Sequence, residues 1–140
     1  MAQHIEDIMT KHVHSVRSDT SLLEVARVMR DQKIGDVLVT NRDGTLRGII
    51  TDRDIVVRAV ASGKSLDRTQ VAEICTDNLV KLAPTSTVED AVKTMREHAI
   101  RRVPVVQDGQ PVGIITIGDL ARHQDPRSCL AEISSSAPNN

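Results

Sequence analysis

The stretch that decides the fold is Gly48-Ile-Ile-Thr51-x-x-Asp54, which recurs further along the chain as Gly113-Ile-Ile-Thr116-x-x-Asp119. Working outward from this motif, residues 5 to about 58 match residues 71 to 123. The matched positions include Ile8/Ile74, Thr10/Thr76, Met29/Met95, Arg30/Arg96, Ile34/Ile100, Val37/Val103, Val39/Val105 and Asp43-Gly44/Asp108-Gly109. Solenoid repeats have periods of roughly 20 to 50 residues and usually three or more copies. The sequence therefore predicts a duplicated small domain.

Length and composition limit how the two copies are built. The chain has 140 residues, about the size of one ordinary domain, so each copy alone is too small for a comfortable core and we expect the pair to share one. There is no Phe, Trp or Tyr. The core must therefore be aliphatic, and no aromatic ring is present to stack on a nucleobase.

The charge pattern and hydropathy exclude several classes of partner. The formal net charge is −1 with acids and bases interspersed, which gives no electrostatic footprint for nucleic acid and no basic helix for a membrane surface. No apolar run approaches the roughly 20 residues of a membrane span, and the N-terminus lacks a signal-peptide core. We expect a cytoplasmic protein in which Cys75 and Cys129 are reduced thiols.

Each copy is predicted to run strand, helix, strand, strand, helix, a mixed α/β (α+β) class. Ser21-x-x-Glu24 and Thr87-x-x-Asp90 are capping patterns before the first helix of each copy. Apolar residues follow at helical spacing in both copies and predict a buried stripe: Leu22, Val25, Ala26 and Met29, then Val88, Ala91, Val92 and Met95. The Asp-Gly pairs at 43–44 and 108–109 predict antiparallel hairpins.

These elements predict the domain boundaries. The first domain covers residues 1–63, a polar linker covers 64–70, and the second domain covers 71–124. The last helix of the first copy is predicted from about Asp52 to Ser62, ending at Gly63, which can adopt the left-handed conformation. Residues 125–140 form a tail that we expect to be partly disordered, because its final part has nothing to bury.

The chemistry is predicted where a strand meets a helix, at Thr51 and Asp54 and at Thr116 and Asp119. One interpretation is a capping box, because Thr-x-x-Asp satisfies backbone amides in any first helical turn. The other is a nucleotide site, because the hydroxyl and the amides suit a phosphate and the carboxylate can accept both hydroxyls of a ribose. The residues alone leave both interpretations open.

At these residues the chain resembles a tandem pair of CBS domains, called a Bateman module. The resemblance rests on GIITDRDI and GIITIGDL behind a Val-rich hairpin and covers about residues 5 to 123. Within the family the chain is similar to small stand-alone bacterial CBS proteins of the hypoxic-response type, which share its TDRDI-like and RRVPV-like stretches. The resemblance implies two β-α-β-β-α units packed as a pseudo-two-fold pair.

The resemblance also implies a regulatory module that binds adenosyl ligands in clefts between the copies. The ligands would be AMP, ADP, ATP, S-adenosylmethionine or NAD(H), with no obligatory cofactor. The family roles fall on Asp54 and Asp119 for the ribose, and on Thr51 and Thr116 near the ribose or phosphate. Such pairs usually form homodimers through helices, and Val56, Val57 and Val60 are candidates for that contact.

The two sites differ in charge. Asp36 is aligned with Arg102, and Asp52-Arg53 with Ile117-Gly118. A phosphate would be repelled near Asp36 but would gain a charge-assisted contact near Arg101, Arg102 or Arg53. We therefore predict one stronger site, lined by Thr116, Asp119 and Arg102. The alternative for the two adjacent arginines is solvated charge on a turn.

The leading functional hypothesis is an adenosyl-nucleotide sensor acting in trans on an unknown target protein, because residues 5 to 123 leave no room for an effector domain. The alternative is a ligand-free dimeric scaffold of a stress response, whose Thr-x-x-Asp pairs would be caps only. We predict neither an enzyme nor a metal site. No recognisable catalytic set is present, and His12-x-His14 lacks a third ligand.

Overall fold

The computed structural model describes residues 3–76 and 79–124, and these residues fall into two compact units. The first unit comprises residues 14–76 and 79, and the second comprises residues 3–13 and 80–124. Each unit combines helices with a β-hairpin. This arrangement confirms the predicted mixed α/β class.

The first unit is built on a three-stranded sheet. Its elements are β1 (Ser15–Arg17), α1 (Leu22–Gln32), β2 (Asp36–Thr40), β3 (Leu46–Thr51), α2 (Asp52–Asp54), a π-helix (Ile55–Val60) and a 3₁₀ turn (Val71–Glu73). The strand order is β1-β2-β3, with β1 parallel and β3 antiparallel to β2. The sheet therefore ends at the junction between β3 and α2, where the Thr-x-x-Asp motif lies.

The second unit repeats most of this pattern. Its elements are a 3₁₀ turn (Ile5–Asp7), α3 (Val88–His98), β4 (Arg102–Gln107), β5 (Gln110–Thr116) and α4 (Ile117–Gln124). β4 and β5 pair antiparallel, with Arg102 opposite Thr116. The second Thr-x-x-Asp motif thus lies at the junction between β5 and α4.

The helices α1 and α3 follow the sequence prediction closely. The Ser21 hydroxyl accepts a hydrogen bond from the Glu24 amide at 3.2 Å, and Thr87 forms a full capping box with Asp90. The apolar stripe is buried at Leu22, Val25 and Met29 in α1 and at Val88, Ala91 and Met95 in α3. Amphipathic spacing therefore identifies the core face of both helices.

The two hairpins turn at the predicted Asp-Gly pairs. Asp108 and Gly109 adopt φ values of 53° and 80° between β4 and β5. Positive φ at both central positions is typical of the two-residue turn whose twist matches a hairpin. In the first hairpin only Gly44, at φ 87°, has a positive φ. The longer first loop spans residues 41–45 between β2 and β3.

The strand predicted before α3 is reduced to a single bridge, a correction to the sequence prediction. Leu82 bridges Val105 in parallel, where β1 forms a three-residue strand beside β2. The Ser18 amide donates to the Thr40 carbonyl at 2.9 Å in the first unit. The corresponding residue in the second copy is Pro84, which has no N–H to donate. The second copy therefore cannot extend the strand in the same way.

The helix predicted from Asp52 to Ser62 is also different in detail. Only residues 52–54 are α-helical, and the chain continues as a π-helix in which the Ala61 amide donates to the Val56 carbonyl at 2.9 Å. Gly63 adopts φ 73°, as predicted for the residue that ends the helix. Val56, Val57 and Val60 remain 58%, 47% and 53% exposed.

Each core takes up a segment from the other sequence repeat. The first unit buries Val71, Ile74 and Cys75 of the second copy against residues of α1 and the sheet. The second unit buries Ile5 of the first copy, with Ile8 and Met9 packed beside it. The compact units therefore divide the chain differently from the repeats at 1–63 and 71–124, which remain a prediction about sequence domains.

Two predictions lie outside the described residues: the partly disordered tail at 125–140 and the thiol state of Cys129. Cys75 is buried in the core of the first unit. Across residues 3–76 and 79–124, no helix has the length and apolar character needed to cross a membrane.

Candidate ligand-binding sites

In the first unit, Thr51 and Asp54 hold each other at the start of α2. The Thr51 hydroxyl accepts a hydrogen bond from the Asp54 amide at 3.1 Å. Oδ2 of Asp54 accepts one from the Thr51 amide at 2.9 Å. This reciprocal pair satisfies two backbone donors that a helix leaves unpaired. The motif therefore forms a capping box, and Oδ1 of Asp54 takes no part in it.

Thr116 and Asp119 form the same pair in the second unit. The Asp119 amide donates to the Thr116 hydroxyl at 3.1 Å, and the Thr116 amide donates to Oδ2 of Asp119 at 3.0 Å. The repeated motif thus places a carboxylate in the same local geometry twice.

The Asp119 carboxylate has further partners within the second unit. The Thr10 hydroxyl lies 3.3 Å from both carboxylate oxygens. The Arg122 guanidinium donates to Oδ1 from one turn further along α4. The Asp119 side chain is only 4% exposed. A ribose hydroxyl would have to displace one of these contacts to reach this carboxylate.

The Asp54 carboxylate is more open. Its side chain is 19% exposed, and Oδ1 lies 3.7 Å from Nε of Arg58 in an ion pair. Arg58 is held by a second contact, because its guanidinium donates to the Ile74 carbonyl at 3.1 Å. Thr76, the counterpart of Thr10, lies 3.5 Å from the Arg58 guanidinium instead of bonding the aspartate. Oδ1 of Asp54 is therefore the better placed acceptor for a ligand hydroxyl.

The residues opposite the two threonines carry opposite charge. Asp36 on β2 faces Thr51 on β3, and Arg102 on β4 faces Thr116 on β5. Burial lowers the pKa of the Arg102 guanidinium from its ordinary value, although the residue as a whole is exposed. An arginine with a lowered pKa still carries its charge at neutral pH. The sequence alignment of Asp36 with Arg102 is thus a true structural equivalence.

Arg53 occupies a different setting from the other predicted ligand residues. It lines an open surface pocket of 340 Å³ together with Asp52, Val56 and Val57. The pocket lies on the face that exposes the valines of the π-helix. The structure brings Thr51 and Asp54 into direct contact and places Arg53 beside an apolar surface.

Three contact residues were missed from the sequence: Thr10, Arg58 and Arg122. The repeat offered a signal for the first, because Thr10 and Thr76 are identical between the copies. For the arginines the signal is helical spacing, because residues three and four apart share a helix face. None of these signals showed that Asp119 would be more fully bonded than Asp54.

His12 and His14 are both exposed. In the part of the chain that the structure describes, no three His, Cys, Asp or Glu side chains are grouped closely enough to hold a metal ion.

Comparison with known proteins matches residues 5–60 and 71–125 to the CBS domain. Among curated proteins, the CBS domain-containing protein YhcV of Bacillus subtilis is 38% identical over 120 residues, covering 86% of this chain and 84% of that protein. Hypoxic response protein 1 of Mycobacterium tuberculosis is 34% identical over 117 residues, covering 84% of this chain and 82% of that protein.

Solved structures give the same result. The CBS domain pair of protein MJ0100, crystallised in complex with 5′-methylthioadenosine and S-adenosyl-L-methionine, is 29% identical with a TM-score of 0.79. The match covers 91% of this chain and 100% of that one.

Proposed function

Because the chain belongs to the CBS domain family as a CBS-pair regulatory protein, we propose that it binds adenosyl compounds through their ribose and signals to a partner protein. The family resemblance drawn from the two GIIT motifs is thereby confirmed. The candidate ligands are AMP, ADP, ATP, S-adenosylmethionine and NAD(H). An adenosyl compound is also what the related MJ0100 pair holds.

The observation that carries this proposal is the weakly paired Oδ1 atom of the Asp54 carboxylate. Oδ2 is used by the cap, whereas the partner of Oδ1 within residues 3–76 and 79–124 is Arg58, in an ion pair of 3.7 Å. A ribose presents two neighbouring hydroxyl donors, and hydrogen bonds to a charged acceptor contribute roughly 1.5 to 3 kcal/mol each. A carboxylate that is fixed by a cap and whose second oxygen has only a long ion pair of 3.7 Å is therefore a preorganised ribose acceptor.

In the second unit the equivalent group is the Asp119 carboxylate, which a ligand can reach only by breaking existing hydrogen bonds. A ribose at Asp119 must replace the Thr10 hydroxyl or the Arg122 guanidinium. The prediction that the stronger site lies at Thr116, Asp119 and Arg102 is based on charge. The hydrogen bonds that Asp119 already accepts argue against it, because a ligand would compete with them. We propose that Asp54 is the stronger ribose site. Asp119 binds ribose only when other ligand contacts compensate for the loss of its hydrogen bond with Thr10 or Arg122.

The proposal includes action in trans and a homodimer. Val56, Val57 and Val60 expose about half of their surfaces on one short helix. Exposed apolar residues grouped in this way support a contact with another protein surface. We propose that a second copy of this chain covers them and that a separate target protein reads the bound state. We propose no catalytic role.

A ligand-free scaffold remains the second candidate because the same cap occurs where no ligand is proposed. Thr87 and Asp90 form a reciprocal pair, with distances of 3.1 and 2.9 Å, at the start of α3. The Thr-x-x-Asp geometry alone therefore does not distinguish a site from a cap.

That second cap also provides the matched control for the test. Asp54→Asn and Asp119→Asn keep an oxygen that can accept the capping hydrogen bond but lose the negative charge. Asp90→Asn makes the same change at a cap outside both sites. Each variant and the parent chain would be titrated calorimetrically with AMP, ATP, S-adenosylmethionine and NAD⁺.

We expect Asp54→Asn to weaken binding at least tenfold and Asp90→Asn to leave it unchanged. A bound ligand should also raise the melting temperature, because a ligand at 100 times its dissociation constant stabilises by about 2.7 kcal/mol. If no compound binds the parent chain, the ligand-free scaffold is the better account. If the parent binds a compound and Asp54→Asn binds it equally well, Asp54 is not the ribose acceptor.

A further inference from the structure

Arg58 connects the proposed ribose acceptor of the first unit to a backbone segment that comes from the other sequence repeat. Its Nε atom lies 3.7 Å from Oδ1 of Asp54, and its Nη1 atom donates to the Ile74 carbonyl at 3.1 Å. The same Nη1 atom lies 3.5 Å from the Thr76 hydroxyl oxygen. One guanidinium therefore contacts the carboxylate at one end and residues 74–76 at the other.

Residues 74–76 are held against the strand that leads into the motif. Thr76 exchanges two backbone hydrogen bonds with Ile49 of β3, at 3.0 and 3.1 Å. A Cβ atom at Gly48 would lie 2.4 Å from the Thr76 carbonyl oxygen, so the two backbones are in close contact. The first two residues of the segment are buried in the core of the first unit. The segment that Arg58 contacts is therefore an ordered part of the first unit.

The second unit makes the corresponding connection directly. Thr10, the counterpart of Thr76, exchanges two backbone hydrogen bonds with Ile114 of β5, both at 2.9 Å. The Thr10 hydroxyl lies 3.3 Å from both carboxylate oxygens of Asp119. In each unit the motif carboxylate is thus tied to a segment of the other repeat. This recurrence argues that the Arg58 bridge is a feature of the fold.

The Arg58 ion pair and a ribose hydroxyl would use the same oxygen. Oδ2 of Asp54 accepts the capping hydrogen bond, and the proposed ribose contact is with Oδ1. At 3.7 Å the arginine is beyond hydrogen-bonding distance, so a hydroxyl can reach Oδ1 without first breaking a hydrogen bond. A donor bonded there competes with the guanidinium for the same negative charge.

We infer that Arg58 is a positioning residue through which a ligand at Asp54 loosens residues 74–76. The inference rests on the proposed ribose site and adds its regulation. Without a ligand the guanidinium is held at both ends. A ribose hydroxyl on Oδ1 weakens one end, and the hydrogen bond to the Ile74 carbonyl then weakens because the side chain is less restrained. The second unit resumes at residue 80, so the loosened segment lies just before the chain passes from one unit into the other.

Hydrogen exchange of single amides, followed by NMR on the full chain, measures the loosening. The reporters are the Cys75 and Thr76 amides, which donate to the Val71 and Ile49 carbonyls. AMP, ATP, S-adenosylmethionine and NAD⁺ would each be added at saturation. A bound compound should speed exchange at both amides by roughly two- to fivefold, the range set by a surface ion pair. The sign is diagnostic, because stabilisation by a ligand slows exchange elsewhere.

Two substitutions of Arg58 separate the bridge from its charge. Arg58→Gln removes the charge and the guanidinium fork, whereas Arg58→Lys keeps the charge on a single ammonium that cannot replace the fork. In both variants the ligand should no longer speed exchange at the two reporter amides. Arg58→Gln should also bind the ligand roughly two- to fivefold more tightly, because the competitor for Oδ1 is gone. Arg27→Gln is the matched control, since Arg27 is an exposed arginine paired with Glu24 on α1, and it should behave as the parent chain does.

The outcomes separate the inference from the proposed function. If none of the four compounds binds the parent chain, both fail. If a compound binds and Asp54→Asn does not weaken it, the inference fails together with the Asp54 site. If Asp54→Asn does weaken it, the proposed function stands. The inference alone is then overturned by unchanged or slower exchange at Cys75 and Thr76, by faster exchange that persists in Arg58→Gln, or by weaker binding to Arg58→Gln.

Discussion

The two motif aspartates should contribute unequally to stability even without a ligand. Asp119→Ala removes the acceptor of the Thr116 amide, both 3.3 Å contacts with Thr10, and the ion pair with Arg122. Asp54→Ala removes the acceptor of the Thr51 amide and a 3.7 Å ion pair with Arg58. The first carboxylate is nearly buried, whereas the second is partly exposed.

The size of the difference follows from these contacts. Loss of a cap costs about 1 kcal/mol. The Asp54 ion pair adds little, because half of the Arg58 side chain is exposed and pairs at the surface contribute about 0 to 1 kcal/mol. Hydrogen bonds to a buried charge are worth about 1.5 to 3 kcal/mol. We therefore expect losses of about 3 kcal/mol for Asp119→Ala and about 1 kcal/mol for Asp54→Ala.

Urea unfolding followed by far-ultraviolet circular dichroism measures both values, since the chain has no aromatic residue to serve as a fluorescent probe. A difference near 2 kcal/mol corresponds to a shift of the midpoint by roughly 1 M urea. Asp90→Ala, an exposed cap of the same type, should match Asp54→Ala. Equal losses for Asp119→Ala and Asp54→Ala would refute the argument that Asp119 is already satisfied within its unit.

Three further predictions concern packing, assembly and pH. Gly48→Ala should cost about 2 to 3 kcal/mol in urea unfolding, because its Cβ would lie 2.4 Å from the Thr76 carbonyl oxygen of a paired backbone segment. Gly113→Ala should cost less, because its 2.6 Å contact is with the flexible Met9 side chain and its nearest backbone atom, the Thr10 carbonyl oxygen, lies at 2.9 Å; a larger loss there would contradict this reasoning. Val57→Glu should convert a dimer to a monomer in sedimentation velocity, and an unchanged profile would remove this face from the interface. The Thr87 hydrogen bonds lower the pKa of Asp90 from 3.8, so its stabilising contribution is present above that value and is lost as pH falls through the lowered pKa. Asp90→Asn should therefore lose less stability than the parent chain on acidification below about pH 4, and parallel pH profiles would argue against this.

Patterns local in sequence gave most of the fold. The stripe Leu22, Val25 and Met29 needs only helical periodicity, and the Asp108-Gly109 turn needs only residues that accept positive φ. The loss of the strand at Leu82 could have been predicted from the sequence. Pro84 has no backbone N–H, whereas Ser18 at the corresponding position donates one to the sheet. The π-helix at Ile55–Val60 had no comparable signal.

Contacts distant in sequence could not be read in the same way. Thr10 reaches Asp119 across 109 positions, and no local pattern specifies that pairing. Ile5 of the first repeat packs in the core of the second unit, and Val71 of the second repeat packs in the core of the first. This exchange depends on tertiary packing and has no local sequence signal. The repeat predicted two equivalent aspartates. Only the structure shows that Asp119 is nearly buried and contacts Thr10 and Arg122, whereas Asp54 is more exposed.

The sharpest test of adenosyl binding is equilibrium dialysis read at 260 nm. Because the chain contains no Trp, Tyr or Phe, the polypeptide contributes little absorbance there, and adenine reports its own concentration. Protein would be dialysed separately against AMP, ATP, S-adenosylmethionine and NAD⁺. The account predicts an excess of at least one compound on the protein side, approaching one or two molecules per chain and falling for Asp54→Asn. Equal absorbance on both sides for all four compounds would contradict it.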